Sequence, residues 1–366
     1  MKILHLTDRW MTGGGQEHIY RVCQGLPGHH FVVMAGRDGP ARGRFESLPN
    51  VETRTGVLSP KTIESIAPDI IHFHHLRPLL QWYFRCAARS LYPVVVTVHG
   101  LHVRRYDFQR NPVSRMKSWL RRFLENKLFH HAGMVIAVSR EDREFLVDEY
   151  GLSNVETVFN GIPAVNLTSA TATEVLNGLE LPGAGLAALV PARFDFQKGH
   201  DILVKAVAHP ILDKHRNRIV FLLAGDGPLR SIMEVMVMRS GVGDSFRFLG
   251  DCAHDTVLDM MRASDMVVLP SRWEGLPISL LEAGMLGKPV LASDACGNRE
   301  ILENQRGILF ANGEPESLAD ELRGIIEDPS ILEGYGAALR SHVLTEYSLE
   351  RMVNSLEKVY ADILSR

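Results

Sequence analysis

The amino-acid sequence predicts an α/β protein built from two doubly wound parallel sheets. Short apolar runs alternate with helical segments twice along the chain, once before residue 163 and once after residue 185. The runs are continuous, which is typical of parallel strands that are buried on both faces. At 366 residues the chain also exceeds the size at which one hydrophobic core keeps growing. Two domains are therefore expected.

The apolar runs also set the predicted domain boundaries. The first series is Ile3–Leu6, Phe31–Ala35, Ile70–Phe73, Val94–Val98 and Met134–Val138. The second series is Ala187–Pro191, Val220–Ala224, Phe246–Leu249, Met266–Leu269, Val290–Ala292 and Gly307–Phe310. We place the N-terminal domain at 1–163, a linker region at 164–184 and the C-terminal domain at 185–345. The tail at 346–366 has apolar residues at helical spacing and is predicted to be an amphipathic helix.

The composition of the chain indicates which kinds of binding partner and which cellular compartment to expect. A formal net charge of −3 argues against nucleic acid as a partner. No stretch reaches the roughly 20 apolar residues of a membrane-spanning helix. The N-terminus lacks the long apolar core of a signal peptide, so a cytoplasmic protein is expected. The four cysteines are scattered and show no C-x-x-C spacing for zinc or redox chemistry.

One stretch, Leu269–Gly284, concentrates groups suited to an elongated anionic ligand. The apolar run Met266–Leu269 leads into a glycine-bearing loop, and Pro277 stands where a first helical position tolerates proline. Free backbone N–H groups and the positive end of the helix dipole make such a helix start a phosphate site. Glu274 lies on the loop and Glu282 about two turns further along. A ligand that contacts both carboxylates must be long.

Strand ends in the first half supply glycines and a histidine. Gly13, Gly14 and Gly15 follow the first strand and allow a ligand to approach the backbone closely. They do not form the G-x-G-x-x-G dinucleotide fingerprint. The strand Val94–Val98 delivers His99 to its carboxyl end, where α/β proteins gather polar groups.

Strand ends in the second half supply cations. Arg193 and Lys198 follow the first strand of that half, where two positive charges could neutralise a diphosphate. Gly225 and Arg247 belong to two further strand-end turns. The backbone around Arg247 is a candidate seat for a nucleotide base.

Together these residues resemble the retaining glycosyltransferases of family 4. Glu274 and Glu282 resemble the E-x7-E signature, and Arg193 with Lys198 resembles the R-x(4)-K-G element. The glycine run resembles the family's N-terminal glycine loop. The similarities keep the family's order from residue 13 to residue 300. The resemblance implies the GT-B fold, in which two Rossmann-like domains face each other across a cleft and the final helix returns to the N-terminal domain.

The resemblance also implies a function and a set of site residues. It implies transfer of a sugar from a nucleotide-sugar donor to a saccharide or lipid-linked acceptor in cell-surface glycan biosynthesis, with a UDP-sugar favoured and a GDP-sugar open. The catalytic residues that it implies are His99, near the anomeric carbon, and Glu274, Arg193 and Lys198. The donor-binding residues that it implies are Gly13, Gly14, Gly15, Arg193, Lys198, Gly225, Arg247, Glu274, Gly275, Leu276, Pro277, Ile278 and Glu282. We expect Glu274 and Lys198 to lie in an open cleft.

Neither a metal nor another cofactor is expected. The sequence contains no D-x-D motif, so metal-independent transfer is the working hypothesis. His72 and His74 lie on one side of a predicted strand, but no carboxylate or cysteine nearby in sequence completes a ligand set. We prefer the interpretation that His72 and His74 line the acceptor site or have a structural role. Asn298 and Arg299 depart from the family's G-G-x-P-E form, so we assign Glu300 no role.

The segment Val103–His131 has two interpretations. It carries eight basic residues against two acidic ones, and Met116, Trp119 and Phe123 fall on one helical face. A helix of this kind can lie on an anionic membrane surface, which would place the protein at the inner face of the cell membrane. Alternatively, the apolar face packs inward and the basic residues are merely solvated.

Two other functional classes remain open. A nucleotide-sugar epimerase also uses two facing α/β domains, although it does not usually carry this set of cations and glutamates. A non-catalytic nucleotide-sugar-binding subunit is the second alternative. Incubation with nucleotide sugars separates them, because the outcomes are transfer or nucleotide release, an epimerised donor, or binding alone.

Overall fold

The computed structural model describes residues 1–86, 91–108, 111–164 and 185–365. These residues belong to two compact units. One comprises Met1–Pro163 and Tyr347–Arg366, and the other comprises Ala164–Glu346. Apart from Ala164, the predicted linker at 164–184 lies outside the described residues.

The N-terminal unit contains a sheet of seven described strands, all paired in parallel. They are β1 (Lys2–Arg9), β2 (His30–Arg37), β3 (Val51–Thr55), β4 (Ile70–Phe73), β5 (Val94–Val98), β6 (Met134–Ala137) and β7 (Val155–Thr157). The strand order is β3-β2-β1-β4-β5-β6-β7. It reverses between β1 and β4, and such a reversal opens a crevice at the carboxyl ends of the two strands.

Helices connect these strands, and three of them begin at a side-chain cap. They are α1 (Gly14–Gly25), α2 (Arg42–Glu46), α3 (Pro60–Ile66), α4 (Leu76–Arg85), α5 (Pro112–Phe129) and α6 (Arg140–Asp148). The side chains of Ser59, Asn111 and Ser139 accept backbone N–H groups at the starts of α3, α5 and α6. Proline is the first residue of α3 and α5, where its missing N–H is harmless.

The second unit contains a six-stranded parallel sheet with the same kind of reversal. Its strands are β8 (Leu186–Pro191), β9 (Ile219–Ala224), β10 (Phe246–Gly250), β11 (Met266–Leu269), β12 (Val290–Ser293) and β13 (Ile308–Phe310). Their order is β10-β9-β8-β11-β12-β13, with the reversal between β8 and β11. Its helices are α7 (His200–Val207), α8 (Arg230–Arg239), α9 (His254–Ala263), α10 (Ile278–Met285), α11 (Cys296–Leu302), α12 (Pro315–Glu327) and α13 (Tyr335–Glu346).

Strand burial explains why the apolar runs predict the fold. Every residue of β4, β5, β9 and β11 is buried, as expected for strands covered by helices on both faces. The predicted α/β class with two doubly wound parallel sheets is confirmed. Among the described helices, none combines the length and apolarity needed to cross a bilayer.

The final helix, α14 (Leu349–Leu364), packs against the N-terminal sheet. One face of this helix is buried in the core with residues of β1, α1 and β2. Its buried residues are Met352, Val353, Leu356, Val359, Tyr360 and Ile363. The backbone packs closely against the start of α14 at Gly161, where an added Cβ would lie 2.6 Å from the backbone oxygen of Ser348 and 2.9 Å from the Cα of Leu349.

We expect Gly161→Ala to destabilise the N-terminal unit. The new methyl group would meet backbone atoms, which cannot rotate away, so a loss of ~1–3 kcal/mol in the free energy of unfolding is expected. Urea unfolding measures this loss. Gly28→Ala is the matched control, because a Cβ there meets nothing within 4 Å. Equal stability of the two variants would contradict the close packing of α14.

Candidate functional site

In the C-terminal unit, the predicted cations and carboxylates follow β8 and β11. These strands are neighbours at the reversal point of the sheet. Arg193 and Lys198 lie on the loop after β8, whereas Glu274 lies on the loop after β11. The carboxyl ends of parallel strands share one edge, so residues far apart in sequence meet there.

A direct ion pair joins the two loops. Lys198 Nζ lies 2.6 Å from Glu274 Oε1, with side-chain exposures of 24% and 7%. Gln197 Nε2 donates to the Trp273 carbonyl oxygen at 2.9 Å and lies 3.5 Å from Glu274 Oε2. The expectation of an open position is therefore wrong for Glu274. Its carboxylate is buried because Lys198 and Gln197 cover it.

Glycine backbone geometry holds the loops together. Gly199 has a φ of 67° and ends the loop after β8. A Cβ on Gly199 would lie 1.9 Å from the Pro270 oxygen. A Cβ on Gly297 would lie 2.0 Å from the Gly275 oxygen, so α11 also packs closely on the loop after β11. These contacts fix the backbone that presents Lys198 and Glu274.

Arg193 lies on the same loop but is paired differently. Its Nη2 atom is 2.6 Å from Asp195 Oδ2, and the Arg193 side chain is 50% exposed. Asp195 also accepts the Gln197 backbone N–H at 2.9 Å, so its carboxylate orders the turn before Lys198. The structure thus places both predicted cations on one loop, each with its own carboxylate.

The predicted phosphate seat lies at the start of α10. The helix begins at Ile278, one residue after the predicted start, and Pro277 is its N-cap without a side-chain cap. Gly275, Leu276, Pro277 and Ile278 are all buried residues. The buried Asn298, which departs from the family pattern, donates to the Ser293 carbonyl oxygen at 3.0 Å and so orders the neighbouring turn.

Glu282 lies on α10, four residues after its start, which corresponds to about 6 Å of rise. The Glu282 side chain is 10% exposed, and its Oε1 is 3.5 Å from His254 Nε2. His254 is the first residue of α9. The sequence carried no signal for this histidine.

Gly225 and Arg247 have different surroundings. Gly225 has a φ of 147°, and a Cβ there would lie 2.4 Å from the Ala192 oxygen, so it packs the turn after β9 against the loop after β8. Arg247 is the second residue of β10, and its Nη1 donates to the carbonyl oxygens of Asp244 and Phe246 at 2.9 and 3.0 Å. Arg247 therefore lies near the start of β10, whereas the sequence placed the backbone around it, as a candidate seat for the base, at a strand-end turn.

In the N-terminal unit, the glycine run forms the start of a helix. Gly13 is the N-cap of α1, with a φ of 152° and no side-chain cap, while Gly14 and Gly15 are the first helical residues. A Cβ on Gly13 or Gly14 would meet nothing within 4 Å. On Gly15 it would lie 3.7 Å from carbons of His75 and His99. The glycine run thus lies against the predicted His99.

A cluster of histidines lies at the reversal point of the N-terminal sheet. His5 Nδ1 and His74 Nε2 are 2.7 Å apart, and His74 Nδ1 and His99 Nε2 are 3.0 Å apart. The remaining members are His18, whose Nδ1 lies 2.9 Å from Asn160 Oδ1, and His72, whose two ring nitrogens contact Tyr360 and Thr97. His5 and His18 were missed in the sequence, because nothing in their spacing connects them to His99.

Burial keeps these imidazoles neutral. It lowers the pKa of His5 to about 3 and that of His18 to about 4. It also lowers the pKa values of His72, His74 and His99 well below the usual range, since desolvation penalises the charged ring. The ring nitrogens of His18, His74 and His99 lie within 4.8 Å of one another, as do those of His5, His72 and His74. Either group could hold a metal ion, although hydrogen bonding among neutral rings also explains the short distances.

Comparisons with known proteins agree with this architecture. The crystal structure of Anabaena HepE in complex with UDP-glucose matches 99% of this chain and 100% of that protein, with a TM-score of 0.82 and 21% identity. HepE and other solved glycosyltransferases share the GT-B fold, which confirms the predicted fold class. Residues 12–165 match the family described as Glycosyltransferase Family 4, and residues 171–342 match Glycosyl transferases group 1. The chain belongs to these family-4 glycosyltransferases.

The curated relatives are matched over a smaller share of their own length than HepE is. D-inositol 3-phosphate glycosyltransferase of Streptomyces bingchenggensis is 30% identical over 254 residues, which are 66% of this chain and 55% of that protein. Glycogen synthase of Mycobacterium tuberculosis is 24% identical over 308 residues, which are 82% of this chain and 70% of that protein. The match to the first relative therefore spans little more than half of that protein's length.

We expect acid to destabilise the N-terminal unit more steeply than the C-terminal unit. A histidine whose folded pKa lies below its unfolded value of ~6.5 leaves stability intact above that pH and reduces it as the pH falls toward the folded pKa. Each such group removes up to ~1.4 kcal/mol per pH unit. Burial lowers the pKa values of His5, His18, His72, His74, His75 and His99 in the N-terminal unit, whereas in the described part of the C-terminal unit it lowers that of His200, to about 4.

Hydrogen exchange at about pH 7 and about pH 5.5, corrected for intrinsic rates, measures this difference strand by strand. Protection of β1, β4 and β5 should fall more than protection of β8, β9 and β11. Equal loss in both sheets would contradict a neutral, buried histidine cluster.

Proposed function

We propose that the chain is a retaining, metal-independent glycosyltransferase that moves a sugar from a nucleotide-sugar donor to a saccharide or lipid-linked acceptor. The observation that carries the proposal is the Lys198–Glu274 ion pair, held at the reversal point of the C-terminal sheet beside the start of α10. Family membership supports the reaction class. The UDP-glucose complex of HepE favours a UDP-sugar over a GDP-sugar. The similar fold of WaaG, a glycosyltransferase involved in lipopolysaccharide biosynthesis, supports a role in cell-surface glycan biosynthesis.

Each group at this site has a distinct task. Lys198 and the N–H groups at the start of α10 stabilise the diphosphate as it leaves with its negative charge. Glu274, oriented by its ion pair with Lys198, accepts hydrogen bonds from sugar hydroxyls. Glu282, further along α10, accepts hydrogen bonds from the ribose.

Transfer proceeds on the face from which the nucleotide leaves. The bond between the anomeric carbon and the phosphate oxygen breaks while the acceptor oxygen forms its bond to the same carbon. The acceptor proton moves to an oxygen of the departing phosphate. Protein groups then contribute position and electrostatic stabilisation rather than a covalent intermediate.

Glu274→Gln and Lys198→Ala should each lower sugar transfer about 100-fold or more, because each removes one charge that the donor requires. Nucleotide release and product formation with a panel of UDP- and GDP-sugars measure the effect. Lys61→Ala and Glu64→Ala, at exposed positions of α3, are the matched controls and should keep wild-type rates.

The double variant Lys198→Ala with Glu274→Gln removes both charges and leaves no buried carboxylate unpaired. If it folds normally and transfers sugar at the wild-type rate, the assignment fails. An epimerised donor without an acceptor would identify an epimerase, and donor binding without turnover would identify a binding subunit.

We also propose that α5 docks on an anionic membrane surface, which suits a lipid-linked acceptor and places the enzyme at the cytoplasmic face of a membrane. Five apolar side chains of α5 are not packed inward, because they are 48–66% exposed, whereas Leu128 and Phe129 at the end of the helix are buried. The five exposed residues are Val113, Met116, Trp119, Leu120 and Phe123. The rings of Trp119 and Phe123 stack with centroids 5.9 Å apart, so they form one exposed aromatic surface.

The charges around this face determine which lipids it fits. At 100° per residue, Arg115 and Lys117 flank the exposed apolar residues on opposite sides, and both are exposed. Arg121 and Arg122 are instead paired with Glu125 and Glu149 at 2.7 and 3.1 Å. Arg115 and Lys117 therefore supply positive charge beside the exposed apolar residues.

Vesicles that contain anionic lipid should bind the protein, and neutral vesicles should bind it at least tenfold less. Trp119→Ser with Phe123→Ser should abolish binding, and Arg115→Glu with Lys117→Glu should weaken it at least tenfold, since each basic residue contributes ~1 kcal/mol. Met238→Ser is the matched control, because Met238 is 75% exposed on α8 of the other unit. Vesicle binding that survives both double variants would contradict docking through α5.

A further inference from the structure

We infer that His74 is a positioning residue that holds His99 in a single tautomer, with the ring proton on Nδ1. This inference rests on the proposed function only in that His99 serves the donor sugar. His74 is buried, whereas His99 is partly exposed. His74 therefore acts through its hydrogen bond to His99 and not on the substrate.

Three rings form a hydrogen-bonded ladder. It runs from His5 through His74 to His99, with nitrogen-to-nitrogen distances of 2.7 and 3.0 Å. The ring planes of His5 and His74 are 26° apart with centroids at 4.9 Å, and those of His74 and His99 are 23° apart with centroids at 5.3 Å, so neighbouring rings are nearly coplanar and meet edge to edge. His5 is fully buried and His74 is 3% exposed, whereas His99 is partly exposed. His99 is thus the accessible end of the ladder.

Proton counting leaves two arrangements for this ladder. Each neutral imidazole carries one N–H, so every ring that donates through one nitrogen must accept through the other. In the first arrangement His5 donates to His74, His74 donates from Nδ1 to His99 Nε2, and the proton of His99 is on Nδ1. In the second arrangement all donors reverse, and His5 is left with its proton on Nε2. The two arrangements interconvert only if all three rings change together.

The buried end of the ladder selects between them. His5 Nε2 is buried and has no hydrogen-bond partner among the described residues. The second arrangement leaves a buried N–H donor without an acceptor, whereas the first leaves only an unpaired ring nitrogen. Orphaned buried N–H groups are rarer in proteins than under-satisfied acceptors. The first arrangement is therefore favoured, and His99 presents an N–H donor from Nδ1.

Neighbouring contacts fix the geometry of the ladder. The backbone N–H of His74 donates to the Leu6 oxygen at 3.0 Å, which ties β4 to β1 beside the rings. The ring of His18 meets that of His99 edge to face at 4.8 Å. His72 is outside the ladder, because its two nitrogens contact Tyr360 and Thr97 at 2.8 and 2.7 Å. His99 therefore has one ring orientation and offers a substrate oxygen a hydrogen bond, not a base.

Nitrogen-detected NMR of the histidine rings tests the inference without relying on transfer. In the wild-type protein, His99 should be protonated at Nδ1 and unprotonated at Nε2. In His74→Leu the signal should become a mixture of tautomers, and kcat should fall at least ~10-fold while the donor KM changes less than ~2-fold. His74→Asn should restore a single tautomer, since its amide N–H can replace the Nδ1 donor.

Tyr360→Phe is the matched control, because it removes a hydrogen bond from His72 and leaves the ladder intact. Its His99 spectrum should match the wild type. A wild-type His99 protonated at Nε2, or an unchanged His99 spectrum in His74→Leu, would overturn the inference. If His74→Leu does not fold, the wild-type and His74→Asn spectra still show which nitrogen of His99 carries the proton. A single Nδ1 tautomer with no sugar transfer at all would leave the inference standing and refute the proposed function instead.

Discussion

The reversal of strand order within each parallel sheet is the constraint on which the candidate sites depend. All strands of a sheet end at the same edge, so their carboxyl-terminal loops meet there. Where the order reverses, the connecting segments diverge and leave space for side chains from distant parts of the sequence. Lys198 and Glu274 meet at 2.6 Å in this way, and His74 and His99 meet at 3.0 Å.

The fold was predictable because buried parallel strands impose continuous apolar runs. The strands that the apolar runs did not predict are strands that are short or lack a continuous buried sequence. Strand β3, with the sequence Val-Glu-Thr-Arg-Thr, is at the edge of its sheet and has no buried residue. Strand β7, at the opposite edge, is only three residues long. Edge strands need fewer apolar residues, so their sequences carry less signal.

The candidate site was predictable only in part, because a motif gives the loop of a residue and not its contacts. The sequence placed Lys198 and Glu274 on strand-end loops but did not predict that they pair with each other. It placed Arg247 beside a strand end, whereas the guanidinium contacts the start of β10. The histidine cluster depends on register, since β1 and β4 pair with His5 opposite His72. Register is a tertiary property that no local spacing contains.

The two units differ in how they carry charge. The N-terminal cluster consists of histidines whose pKa values burial lowers, so it presents neutral hydrogen-bonding groups. The C-terminal site presents ion pairs, because Arg193, Lys198 and Arg272 each lie against a carboxylate. A diphosphate is recognised by cations, so the proposed function places its binding groups in the C-terminal unit. The neutral rings suit uncharged hydroxyl groups.

The ion pairs at the C-terminal site also differ in how readily they can exchange partners. Arg193 and Asp195 form an exposed pair, and such pairs contribute roughly 0–1 kcal/mol. A phosphate can therefore replace Asp195 as the partner of Arg193 at little cost. Lys198 and Glu274 are more buried, and separating them would leave a poorly solvated carboxylate. Glu274 is consequently oriented by Lys198 before any ligand arrives, whereas Arg193 is less restrained and can turn toward a ligand.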